Sequence, residues 1–88
     1  MSVIPTPPLL DVIAVEALHG FKLRLTFENR EVRVFAMSGF LSRASGVFVP
    51  LRCPEVFNQA YVANGTVCWP GNVDLDPEYL YEASVPEY

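Results

Sequence analysis

The sequence predicts a small α+β domain: an antiparallel β-sheet built from two hairpins, with two or three short helices. Three observations carry this reading. Phe21-Lys22-Leu23-Arg24-Leu25-Thr26-Phe27 alternates apolar and polar residues without a break, the period of a strand with one buried face. Asn64-Gly65, between Ala60-Tyr61-Val62-Ala63 and Thr66-Val67-Cys68-Trp69, is the strongest short-range hairpin signal a sequence offers. Asp76-Pro77-Glu78 has the order of a cap, a first helical residue and a first-turn acid. With 51% hydrophobic and 18% charged residues, against about 25% charged in average domains, the chain favours a packed core over disorder. Its 88 residues suffice for one domain.

The elements follow in order. Residues 1–9 hold three prolines and no charge, and are expected as an extended lead-in. Residues 10–83 form the domain, and 84–88 are expected as a flexible tail. Residues 10–18 are β-branched and compact, and read as a strand ended by His19-Gly20. The next strand would place Phe21, Leu23, Leu25 and Phe27 inside and Lys22, Arg24 and Thr26 outside. Beyond Glu28-Asn29-Arg30-Glu31, Val32, Val34 and Ala36 continue the apolar face. A two-residue loop at Glu28-Asn29 would oppose Arg24 and Arg33, whereas one at Asn29-Arg30 confines the like-charge clash to Glu28 and Glu31, so the second register is preferred. It needs a positive φ at Arg30.

Residues 37–45 suggest an irregular or single-turn helix, and Gly46 to Leu51 a short extended piece. Pro54 opens a short helix to Gln59, with Cys53 as a poor cap. The Asn64-Gly65 hairpin pairs Val62 with Val67 and Ala60 with Trp69 on one face, and Tyr61 with Cys68 on the other. Pro70-Gly71-Asn72 then turns the chain out of the sheet, and the last helix runs from Pro77 to about Glu82.

These ordered signals resemble a known family. The Phe-led hairpin, Phe48-x-Pro50-Leu51, Pro54-x-x-Phe57, and Trp69-Pro70 through Asp74-Leu75 to Pro77-Glu78 with Leu80-Tyr81 are similar to domain-of-unknown-function family 2442, small prokaryotic proteins. The likeness runs from about Leu10 to Tyr81 and implies an α+β fold on an antiparallel sheet. Members are often encoded beside another small protein, and some carry an appended helix-turn-helix domain. The resemblance therefore implies an accessory or antitoxin-like role with an operon-encoded partner. The chain departs from the pattern at Arg30, where glycine is usual, at the tight Asn64-Gly65 turn before Trp69, and at Gly71-Asn72, whose order is reversed. No appended domain is expected in these 88 residues.

Charge and motifs narrow the function. The net charge of −4 gives no general affinity for a phosphate backbone. It is unevenly spread: residues 1–52 hold all six bases and four acids, while residues 53–88 hold six acids and no base. The proline-broken start lacks a secretory signal, and the longest uncharged stretch, Val56 to Val73, is too polar to span a bilayer. A cytoplasmic protein with two reduced, largely buried thiols, Cys53 and Cys68, is expected. Glycine-rich phosphate loops are lacking, and no cofactor is expected. Asp74 and Asp76, with Trp69, are the strongest candidates for a small-ligand or catalytic site, but Asp76 is explained as a cap and neither marks a metal set. His19 and Cys53 read as a turn histidine and a buried thiol rather than a dyad. Lys22, Arg24 and Arg33 form a basic hairpin side that reads as a solvated face before a DNA-binding one.

What remains is association. Trp69, Asp74, Tyr79, Tyr81, Glu82 and Tyr88 form the candidate interaction surface, with Trp69 also the natural core anchor. The expectation is a non-enzymatic domain that forms a homodimer or binds a small, basic, operon-encoded protein.

Overall fold

The computed structural model describes residues 10–87; the expected lead-in, residues 1–9, and Tyr88 lie outside the described residues. In chain order the elements are β1 (Val12–Leu18), β2 (Lys22–Phe27), β3 (Val32–Ala36), α1 (Ser38–Ser42), a 3-10 helix (Gly46–Arg52), α2 (Pro54–Phe57), β4 (Tyr61–Ala63), β5 (Thr66–Trp69), β6 (Val73–Asp74), α3 (Pro77–Ala83) and β7 (Val85–Pro86). They form two antiparallel sheets, one ordered β1-β2-β3-β7 and the other β4-β5-β6. The α+β expectation holds.

The first sheet follows from strand parity. In β1 the ladder slips between Val12 and Ala14, so Ile13 is an extra, exposed residue and Val12 turns into the core beside Phe27. The strand then alternates normally, with Val15 and Ala17 packed on the core and Ala14 and Glu16 outside. Leu18 pairs with Lys22, so the turn is His19-Gly20-Phe21. Phe21 is thus not the first inward residue of β2. It takes φ 57°, unusual for a bulky side chain, while its carbonyl accepts the Met37 N–H at 2.8 Å and its ring meets Phe57 edge-on at 5.3 Å.

The second turn corrects the expected register. Thr26 pairs with Val32 and Leu25 with Arg33, so the loop is built on three residues, Glu28-Asn29-Arg30, and neither two-residue alternative forms. The Phe27 carbonyl accepts the Arg30 N–H at 2.9 Å, the Phe27 N–H donates to the Glu31 carbonyl at 2.9 Å, and Arg30 closes the turn at φ 72°. Arg30 therefore does carry the positive φ, but in a turn one residue longer than expected. The odd residue inverts β3. Phe35 enters the core opposite Leu23, Val34 lies opposite Arg24 on the outer face, and Arg33 shares the inner face with Leu25.

The segment expected as extended at 46–51 coils instead into the 3-10 helix. Gly46, at φ 65°, reverses the chain after Ser45, and Arg52 donates from Nε and Nη2 to the carbonyls of Leu41 and Ala44, both at 2.9 Å. This pulls Phe48 edge-on against Phe40 at 5.1 Å, and tertiary contact overrides the strand preference of Val47 and Val49. Pro54 starts α2 as expected, and Cys53 makes no side-chain cap.

The second hairpin forms on Asn64 (φ 53°) and Gly65 (φ 77°), with Val62 opposite Val67 and Tyr61 opposite Cys68 as read, but the expected Ala60–Trp69 pair is not in the ladder, because the Ala60 N–H donates to the Phe57 carbonyl at 3.3 Å in the turn after α2 and the strand begins at Tyr61. Pro70-Gly71-Asn72 does not lead the chain away. Asn72 accepts φ 63°, and the turn folds Val73 back onto Trp69 as the third strand. The two sheets share one core, whose largest members are Trp69, Phe27 and Phe57. The Val12 N–H donates to the Gly65 carbonyl at 2.8 Å, tying β1 to the tip of the second hairpin.

The stretch expected as a tail is structured over residues 84–87. Arg33 pairs with Pro86 and Val34 with Val85, the Glu87 N–H donates to the Val32 carbonyl at 3.0 Å, and Ser84 is buried. Polar bonds, rather than an apolar pattern, hold this edge. The left-handed turn at exposed Arg30 yields a direct prediction. Arg30→Gly should raise the unfolding free energy by about 1 kcal/mol, because glycine occupies that φ without the side-chain clash. Urea denaturation measures it, and a loss of stability would contradict the turn assignment.

Candidate interaction surface

Helix α3 organises the residues singled out near the C-terminus. The Asp76 carboxylate accepts the Glu78 N–H at 2.9 Å, and Pro77 occupies the first turn, so the cap works as the sequence indicates. Leu80 is fully buried, which fixes the helix's rotation. Its two sequence neighbours then lie on opposite flanks, while Glu78 and Glu82, four apart, share the exposed side. Tyr79 stays 40% exposed, meeting buried Phe35 edge-on at 5.8 Å and leaning on Phe40 at 6.2 Å.

Tyr81 faces inward on the other flank. Its ring packs edge-on against Phe27 at 5.1 Å, the Arg33 guanidinium stacks 4.3 Å from its centroid, and its hydroxyl donates to Glu31 at 2.7 Å. Arg33 also pairs with Glu31 at 2.5 Å and donates to the Ser84 hydroxyl and carbonyl at 2.8 and 2.6 Å. These bonds explain two shifted groups. The Tyr81 hydroxyl, then Arg33, hold the Glu31 carboxyl below the usual range, and the same Glu31 bond, then burial, raises the Tyr81 phenol. Tyr81 is therefore a structural strut, and no feature of the sequence short of the β3 register identifies it as one.

The remaining candidates separate. Trp69 is fully buried, and its indole N–H donates to the Phe57 carbonyl at 2.9 Å, so it belongs to the core and offers no surface. Asp74 is exposed opposite Cys68 on the second sheet, and Tyr88 lies outside the described residues. Asp74, Asp76 and Trp69 are thus not gathered into one site. Among the described residues, no three His, Cys, Asp or Glu side chains converge as metal donors. Cys53 is exposed, not buried as expected, while burial and then Asp74 push the Cys68 thiol up.

The basic hairpin side is also divided. Arg24 lies on the outer face, bonded to Glu87 at 3.0 to 3.2 Å and to Glu16 at 2.6 Å, whereas Arg33 is on the inner face under α3. Lys22, Arg24 and Arg33 do not form one phosphate-facing row. No helix among the described residues is long and apolar enough to cross a membrane.

The Glu31–Tyr81 bond has a pH signature. Glu31, with a lowered folded pKa, contributes stability above its unfolded value of about 4.3 and loses it as pH falls through the folded pKa. Tyr81, with a raised folded pKa, contributes below about 10 and loses it as pH rises further. The contribution of this bond should therefore be level between these limits and fall on both sides. Tyr81→Phe should shrink both limbs in denaturation measured across pH, leaving on the alkaline side the part due to the raised Cys68 thiol; unchanged limbs would show that the bond is absent.

No curated protein and no solved structure matches the chain. A family model described as "Protein of unknown function (DUF2442)" matches residues 12–86, from the first residue of β1 to the last of β7, and the chain belongs to that family.

Proposed function

We propose that this domain is a non-enzymatic interaction module of the cytoplasm, an accessory, antitoxin-like component that associates with a second copy or with a small, basic, operon-encoded protein. The observation that carries this is the outward side of α3. Glu78, Tyr79 and Glu82 stand exposed there, on a stretch, residues 53–88, that holds six acids and no base. A half-exposed aromatic seated on core rings is a rigid anchor, and an uncompensated acidic rim selects basic partners and speeds encounter. Two unpaired thiols, Cys53 and Cys68, fit a reducing compartment. The titratable groups with displaced pKa values among the described residues, Arg24, Glu31, Cys68 and Tyr81, sit in structural pairs or in packing rather than around a substrate-sized cleft.

Native mass measured on untagged protein in its own lysate tests the proposal. A stable complex, homomeric or with a small basic protein, is expected, and Glu78→Lys with Glu82→Lys should weaken a basic-partner complex at least tenfold at low salt. A strictly monomeric, partnerless species would overturn it.

A further inference from the structure

A cavity of about 230 Å³ opens where the β1–β2 turn, α1 and the end of the 3-10 helix meet, lined by Phe21, Ser38, Leu41, Ser42 and Arg52. Spacing puts three of these on one side of α1, since positions 41 and 42 stand three and four beyond 38. Leu41 is buried and makes the apolar floor. Phe21 is a fixed wall: its left-handed backbone is tied to Met37, and its ring rests edge-on against Phe57.

Arg52 gives the cavity its chemistry. A guanidinium carries five N–H donors. Nε and Nη2 spend one each on the carbonyls of Leu41 and Ala44, which holds the group in place. The donors left on Nη1 and Nη2 form the fork that grips a carboxylate through two parallel bonds, and they have no partner among the described residues. The ion pairs of those residues use Arg24 and Arg33, and no carboxylate lines the cavity. Ser42 donates to the Gly39 carbonyl at 2.9 Å, whereas the Ser38 hydroxyl is unspent among the described residues.

A positive group that is pinned, uncompensated and set beside two apolar side chains selects its ligand. The volume lies below the roughly 300 Å³ of ordinary small-molecule sites, so a small fragment or one chain-terminal residue fits. Phosphate covers no apolar surface and meets a single base, and a neutral apolar group leaves the fork empty. We propose that the cavity binds a carboxylate carried on a short apolar group, with Arg52 and Ser38 donating to the carboxylate and Phe21 and Leu41 covering the apolar part. A free monocarboxylate and the C-terminal residue of another chain share this chemistry. Because the wall and the guanidinium are held before the ligand arrives, little freedom is lost on binding. The site does not depend on the acidic side of α3.

NMR titration of the full chain tests this with 4-methylpentanoate, its amide, inorganic phosphate, and a short peptide ending in leucine with its terminus free or amidated. Backbone shifts should move at Ser38, Leu41, Ser42 and Arg52 with 4-methylpentanoate. The amide and phosphate should bind roughly tenfold more weakly, the loss of one charge-assisted contact or of the apolar one. A free-terminus peptide that binds tighter than 4-methylpentanoate, and loses that affinity on amidation, assigns the site to a chain terminus; one that binds no tighter assigns it to a small molecule. Both keep the carboxylate. Ser38→Phe, an exposed change that fills the cavity, should abolish the response, with its folding checked by circular dichroism; the comparison of acid with amide needs no variant. Equal binding of acid and amide, shifts confined elsewhere, or an undiminished response in folded Ser38→Phe would each overturn the inference.

Discussion

The inner-face position of Arg33 is the constraint on which the C-terminal half of the first sheet depends. A guanidinium on the face that buries Leu25 and Phe35 must be matched on every side, because an unpaired charge there would be costly. Glu31 supplies the opposite charge, Tyr81 the aromatic surface, and Ser84 two acceptors. These partners come from β3's own entry, from α3 and from the start of β7. Satisfying one side chain therefore fixes where the helix ends and where the last strand begins.

That position is itself set by one residue in a turn. A three-residue loop at Glu28-Asn29-Arg30 exchanges the two faces of β3 relative to a two-residue loop, and the side-chain period of two leaves no intermediate. Had the chain turned on Asn29-Arg30 alone, Val32, Val34 and Ala36 would share the inward parity of the β2 core residues and Arg33 would face solvent beside Thr26. The left-handed conformation of Arg30 is the local cost, and the Arg33 cluster and the burial of Phe35 offset it. On the outer face the same parity leaves Arg24 among Val34, Glu16 and Glu87, where its carboxylate partners hold the final strand from the other side.

Much of this was legible in the sequence where chemistry is local. The alternation of Leu23, Leu25 and Phe27, the Asn64-Gly65 turn and the Asp76-Pro77-Glu78 cap each depend on neighbouring residues, and each appears where the pattern places it. What depends on distant partners was not legible. The face of Arg33 requires a loop length that charge pairing alone misjudges. The 3-10 path of Gly46–Arg52 is imposed by Arg52 and Phe40, and β7 exists because of polar bonds to Arg24 and Arg33 that no periodicity encodes. Among the candidate surface residues, Tyr79 and Glu82 are exposed as read. Trp69 takes the core position that it also reads as, and Tyr81 packs inward against expectation, because aromatic residues serve core and surface equally well until packing decides.

Arg33 joins α3 and β7 to the sheet as one unit. Amide hydrogen exchange on the full chain carrying Arg33→Met, which keeps most of the side chain's bulk and removes its charge and donors, tests it most directly. Protection should fall together at Leu80, Ser84 and Glu87, whose N–H groups bond within α3 and across to β3, while Val67 and Trp69 in the second sheet keep theirs. Uniform loss of protection across both sheets, or no loss at Ser84 and Glu87, would contradict it.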